Sequence, residues 1–259
     1  TVQISIYWAN FTKSDSKVKD KSHKLEQKLQ RCDCTRSRQI ISLSSVNFSN
    51  TSCGRDAYMR GHHQKVVSFS FYGNKSSPSH LLQGFFEGMI EEQNDHQLLS
   101  SVGIRENLRL LDVHYPSWVM RLYYDVDMND PLLEDLCNIA CEYDALDFVM
   151  SGVSNYDGKT ILFYFFDLRD LPGTPVVDVG SIFPMNWRFF PTLDPQVDLF
   201  VSRDLDSRYS LREQAAVTEW LEDRAVIHVM RDHPAHPFSM LGGMWRAKLQ
   251  NGPVSRLFE

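Results

Sequence analysis

Apolar positions are thin at the start of the chain and dense after residue 65. Residues 13–38 are rich in Lys, Ser, Asp and Gln, and only Val18, Leu25 and Leu29 give them a narrow apolar stripe. That pattern predicts an N-terminal stalk, either a weak amphipathic or coiled-coil stem or a disordered one. The stretch from Asn47 to Cys53 continues it, so residues 1–60 are expected to form a glycosylatable, partly disordered stem and 61–259 the folded domain. Within that domain, Val66-Val67-Ser68-Phe69-Ser70-Phe71-Tyr72 reads as a first core strand, stopped by the turn signal Gly73-Asn74. Residues 81–111 carry apolar side chains at helical intervals, with an interruption expected at Gly103. A second strand is predicted over 118–124, a helix over 131–141 with Cys137 and Cys141 one turn apart, and further strands over 145–150 and 161–168. A Pro/Gly loop follows at 170–175, and Val197 to Val201 forms another apolar run, bounded by Pro195. Ser210-Leu211-Arg212-Glu213 has capping-box spacing, and Ala215, Ala216, Val217, Trp220 and Leu221 continue it at helical intervals. One more strand is expected over 226–230. Strands alternating with helices argue for an α/β layered domain.

The most informative chemistry lies where the strand at 197–201 ends. Asp204 and Asp206 are separated by one residue, so both can present oxygens to one side, and hard divalent cations take oxygen ligands. They fall in a strand-to-helix loop, the place where open α/β sheets bind ligands. Arg188, Arg203, Arg208, Arg212, Arg231 and Lys248 supply local positive charge near them. The strand at 226–230 runs into Arg231, Asp232, His233 and His236, with Gly242-Gly243-Met244-Trp245 close behind, and these are the ingredients of a small-molecule site. His228, inside that strand, is expected to be a core histidine.

Composition narrows the class. The formal charge of −6 at pH 7 gives no reason to expect nucleic acid as a partner. Four Asn-x-Ser/Thr sequons, at Asn10, Asn47, Asn50 and Asn74, accompany five cysteines, and three of the sequons precede Cys53 beside Cys32 and Cys34. The Cys32-x-Cys34 pair has the wrong gap for a zinc finger, so disulfides and a secretory lumen are favoured over zinc and cytosol. The sequence has neither a signal peptide nor an apolar run long enough to cross a bilayer, and it begins with Thr, so a membrane anchor is expected upstream.

Taken in order, Trp187-Arg-Phe-Phe-Pro191, Val201-Ser-Arg-Asp-Leu-Asp-Ser-Arg208, Glu213, Trp220-Leu221, His228-Val-Met-Arg-Asp-His-Pro234 and Gly242-Gly-Met-Trp245 resemble a group of secretory-pathway glycosyltransferase-like proteins with a GT-A fold. Lys65-Val-Val-Ser-Phe-Ser-Phe-Tyr-Gly73, Gly103-Ile-Arg-Glu-Asn107 and Tyr115-Pro-Ser-Trp-Val-Met-Arg121 are similar to its nucleotide-side segments. The resemblance implies a Rossmann-related mixed sheet flanked by helices, and a nucleotide-sugar donor held through manganese or magnesium by Asp204 and Asp206. It implies that Arg105 and Asn107 face the nucleotide and Arg188 or Arg203 the diphosphate. Arg231, His233, His236 and Trp245 are then substrate-binding residues and Asp232 the catalytic carboxylate. A glycan or glycoprotein would be the acceptor, and the full protein a type II membrane protein of the Golgi or secretory lumen. This chain departs from the group in having Ser117 and Arg246 where glycines are usual, a long stretch between Met150 and Ile182, and an end at Glu259 before the group's further helices and late histidine. Two other readings stand beside it. One is a non-catalytic carbohydrate-binding protein that keeps the fold. The other is an aspartate-nucleophile phosphohydrolase, with Asp204 attacking phosphorus and Asp206 as general acid/base.

Overall fold

The computed structural model describes residues 55–72, 95–125, 132–156, 159–167, 184–231 and 239–249. The stalk at 13–38, the four sequons, Cys32, Cys34, Cys53, and the candidate residues Asp232, His233 and His236 lie outside the described residues. Among the described residues, seven strands form one mixed sheet: β1 (Gln64–Tyr72), β2 (Val119–Asp125), β3 (Leu146–Tyr156), β4 (Lys159–Asp167), β5 (Val197–Arg203), β6 (Ile227–Val229) and β7 (Met244–Lys248). Their order is β4-β3-β2-β1-β5-β7-β6. The inner four, β3, β2, β1 and β5, are parallel, while β4, β7 and β6 pair antiparallel. From β1 the chain steps one way to β2 and β3, and then returns to the other side of β1 as β5. The order therefore reverses between β1 and β5, and the crevice above such a reversal is where doubly wound sheets bind ligands.

One face of the sheet is covered by helices. In α2 (Asp95–His114) the buried residues Ile104, Leu108 and Leu111 recur at three- and four-residue intervals, and in α3 (Leu132–Glu142) Leu132, Leu136, Ile139 and Ala140 do the same. They meet Val67 and Phe69 of β1, Met120, Leu122 and Tyr124 of β2, Phe148 of β3 and Val201 of β5 in one core. The helix α4 (Leu211–Glu222) closes this layer with Val217 and Trp220. The opposite face is covered by a 3₁₀ segment (Pro184–Leu193) and the short α1 (Arg55–Met59), with Trp187, Phe190 and Ala57 against Tyr123 and Val149. Ala57 is fully buried, so packing already reaches into residues 55–60, which the sequence pattern assigned to the end of the stem.

A buried polar network ties this second layer to the amino-terminal ends of the parallel strands. Arg121 is fully buried and donates from Nε to Asp147 (3.2 Å), from Nη1 to Asp194 (2.8 Å) and from Nη2 to Gln64 (3.2 Å). Arg60 pairs with Asp147, and Gln64 donates on to the carbonyls of Ala57 and Gly61.

Three expectations are corrected. The helix α2 runs through Gly103 without a break, because that glycine packs against Arg208, whose Nη2 would lie 2.9 Å from a Cβ there. Met244 and Trp245, read as ingredients of a small-molecule site, open the strand β7 instead, since MWRAK carries two cations and its pairing with β5 is invisible to local pattern. Leu221 lies on the outer side of α4, as does Leu211, and Glu213 takes a place on the buried stripe instead. Cys137 and Cys141 are both disulfide-bonded.

Candidate functional site

The strand β5 delivers Asp204 to the carboxyl edge of the sheet, beside the β1/β5 reversal. The loop Asp204-Leu205-Asp206-Ser207 closes as a turn, with the Ser207 amide donating to the Asp204 carbonyl (3.2 Å). Two elements hold it from below. From α2, Asn107 is fully buried and donates through Nδ2 to the Leu205 carbonyl (3.0 Å). From the 3₁₀ segment, Arg188 donates through Nη1 to the Arg203 carbonyl (3.0 Å) and forms an ion pair with Asp204 Oδ1. Arg188 is itself fixed, its amide donating to Ser70 Oγ of β1 (3.0 Å) and its Nε to the Met185 carbonyl (3.0 Å). The Asp204 side chain is 49% exposed, and Asp206 is exposed.

Gly243, in the turn immediately before β7, presses on Asp204. A Cβ at that position would lie 2.8 Å from the Asp204 amide nitrogen and closer still to its carboxylate, so only glycine fits. The neighbouring Gly242 accepts a hydrogen bond from Ser202 Oγ. The acid loop is thus gripped between the turn before β7, the 3₁₀ segment and α2.

The structure gathers Asp204, Asp206, Arg188 and Asn107 at one edge and distributes the other expected residues differently. Arg105 sits on the outer side of α2 in an ion pair with Glu142 of α3. Arg203 is buried, paired with Glu213, and lies over the Tyr209 ring with Cζ 4.5 Å from its centroid. Trp245 is buried on the opposite face of the sheet, against Phe189 and Phe200 at centroid distances of 5.6 and 5.0 Å. Arg231 is exposed just past β6. His228 is half-buried and stacked on Trp220, and burial, followed by the Arg246 charge, holds its pKa below the ordinary value.

Sequence reasoning missed Glu213 and Arg246. Ser210 does cap α4, accepting from the Glu213 amide (3.2 Å), but Glu213 does not complete the reciprocal half of the box, because its carboxylate turns inward to Arg203. Its spacing to Val217 and Trp220 was the available signal, a carboxylate on an otherwise apolar stripe. Arg246 is 1% exposed, in register with Val201 on β5 and His228 on β6.

Among the described residues, no group of three or more His, Cys, Asp or Glu side chains could hold a metal ion. Asp204 and Asp206 alone would supply a pair of carboxylates, which suits a magnesium-like cation that draws its remaining ligands from substrate phosphates and water. No family model matches this chain, and no curated protein matches it closely enough to count as a relative.

Proposed function

We propose that this chain is a metal-dependent glycosyltransferase of GT-A type, moving a sugar from a nucleotide-sugar donor to a glycan or glycoprotein acceptor. The observation that carries the reading is the position of Asp204 and Asp206 at the carboxyl end of β5, beside the reversal of strand order, with the Arg188 guanidinium at the same edge. Asp204 and Asp206 would hold the divalent cation, which supplies charge stabilisation to a departing diphosphate. Arg188 would add a second positive group for that charge, releasing Asp204 as the donor enters. The grip of Asn107, Arg188 and Gly243 on the loop orients the carboxylates in advance, the arrangement that electrostatic catalysis needs. Asp232 is proposed to orient the donor sugar or take the acceptor hydroxyl's proton. The disulfide-bonded Cys137 and Cys141, together with the sequons, support a secretory or Golgi lumen. Among the described residues, no helix is long and apolar enough to cross a membrane.

A second reading, a donor-binding protein without turnover, draws support from the Arg188–Asp204 ion pair, which already occupies one carboxylate oxygen. That pair and the close approach of Gly243 also make Asp204 a poor phosphorus nucleophile. Thermal stabilisation by a panel of UDP- and GDP-sugars, with and without manganese, tests the proposal. Manganese-dependent stabilisation by one donor, lost in Asp204→Asn and Asp206→Asn, is expected; donor binding that ignores manganese would sink it. Binding without transfer or donor hydrolysis would select the second reading.

A further inference from the structure

Behind the acid loop, on the helix-covered face of the sheet, lies a buried polar cluster that the transferase reading does not use. Arg203 ends β5, and Arg246 lies diagonally across from it on β7, where Arg203 opposes Met244 and Val201 opposes Arg246. Glu213 enters from α4 and pairs with Arg203. Tyr209 lies under the Arg203 guanidinium, and Tyr115 meets Tyr209 edge-on with ring centroids 5.2 Å apart. All five residues are buried, at 6% exposure or less.

The hydrogen bonding of this cluster is one-sided. Arg203 Nε, Arg246 Nε, Arg246 Nη1 and the Tyr209 hydroxyl are buried without a protein partner, and the Tyr115 hydroxyl, directed at Glu213, lacks a well-formed hydrogen bond. Each of these atoms carries a hydrogen to donate, while the one carboxylate that the described residues bring to the cluster, Glu213, is already joined to Arg203. Among the described residues charge is one-sided too, with two guanidinium groups facing one glutamate. The tyrosines do not correct this, because burial, the largest cause for each, pushes both phenol pKa values up and keeps them neutral. Burial lowers the Arg246 pKa, and on the neighbouring strand burial first and the Arg246 charge second lower that of His228. An unpaired buried charge is among the more destabilising things a fold can contain.

We propose that the cluster is an internal binding site for one small monovalent anion of the halide class, taken up among Arg246, Arg203, Tyr115 and Tyr209. A halide accepts several hydrogen bonds at once and carries the single negative charge that the cluster lacks. Water accepts such bonds but leaves the charge uncompensated. A nucleotide diphosphate is too large for a cluster whose five residues are all buried at 6% exposure or less. The anion balances the one guanidinium charge that Glu213 leaves over, in a cluster that includes Arg203, the last residue of β5 and the one immediately before Asp204. This site stands whether or not the chain transfers sugars.

The test is thermal unfolding of the full chain in sodium chloride, sodium bromide and sodium gluconate at one constant ionic strength. Chloride and bromide are expected to raise Tm saturably, by roughly 5 °C over gluconate when the site is filled. Arg246→Met, which removes the surplus charge at similar length, should melt at the same temperature in all three salts. A bromide-soaked crystal should show anomalous density at hydrogen-bonding distance from Arg246 Nη1, a readout that holds even if the variant fails to fold. Superimposable wild-type melting curves in the three salts, a halide effect that survives Arg246→Met, or water alone in the bromide-soaked crystal would each overturn the site.

Discussion

Two buried arginine clusters sit on opposite faces and at opposite ends of the same sheet. At the amino-terminal end, Arg60 and Arg121 face Asp147 and Asp194, and all three Arg121 nitrogens that can donate reach an acceptor. At the carboxyl end, Glu213 is the one described carboxylate beside Arg203 and Arg246, and three of their nitrogens find no protein acceptor. Arg121 is as buried as Arg203 and Arg246, while Arg60 is partly exposed; what differs at the buried guanidiniums is the match of charge and of donors to acceptors. The matched cluster can be a fixture of the fold. The unmatched one asks for something from outside the chain, and it lies one residue from the proposed donor site.

The sharpest way to break the comparison is to remove one arginine from each cluster. Arg121→Met leaves two buried aspartates short of a partner and should destabilise by about 3–5 kcal/mol in urea unfolding. Arg246→Met removes surplus charge, and in halide-free buffer it should be neutral or stabilising. Equal losses in the two variants would mean that charge matching does not distinguish the clusters.

Gly243→Ala comes next, because the added methyl overlaps the Asp204 backbone and carboxylate. A loss of about 1–3 kcal/mol is expected, with manganese-dependent donor affinity abolished. By contrast, Asp204→Asn should abolish the same affinity with no more than about 1 kcal/mol of stability lost, since its ion pair with Arg188 is half exposed at the aspartate. If Gly243→Ala kept wild-type donor affinity, the close approach would be irrelevant to the site.

A smaller effect is carried by pH. Because the folded-state pKa of His228 is lowered, the unfolded chain takes up a proton that the native state resists. Stability should therefore fall as pH drops below the ordinary histidine value of about 6.5, and the residue should contribute nothing above it. Urea midpoints at pH 7.5 and about 5.5 should differ less in His228→Gln than in wild type; an identical difference would assign the pH dependence elsewhere.

The smallest expected change is at Ser117, where the chain turns with φ 68°. Ser117→Gly should gain at most about 1 kcal/mol, by relieving a left-handed conformation that glycine adopts freely. A lower urea midpoint in that variant would show that the seryl side chain does more than tolerate the turn.

The local pattern was enough to read β1, β2, α3, β5 and α4, because each carries its own period and stop signal. The left-handed turn was foreshadowed by resemblance alone, Ser117 standing where glycine is usual. The pairings that build the site were not readable. Glu213 has the spacing of a capping residue, and nothing in the string says that Arg203 will pull it inward. Likewise Arg105 looks available for a ligand until the packing of α2 on α3 brings Glu142 to it. Side-chain direction across a sheet is a property of register, so Trp245 and Arg246, adjacent in sequence, end on opposite faces against different layers.

Among the described strands, the two outer edges of the sheet carry unequal hazards for the cell that makes this protein. β6 ends one side after three residues, too short to template another chain. β4 ends the other side with nine, and Thr160-Ile-Leu-Phe-Tyr-Phe-Phe166 within it has no charge, proline or glycine. Such a stretch in an edge strand of the described sheet is the kind that a second copy can add onto. Yield, chaperone demand and fibre formation during biosynthesis should accordingly respond to a lysine placed in β4 far more than to any change in β6.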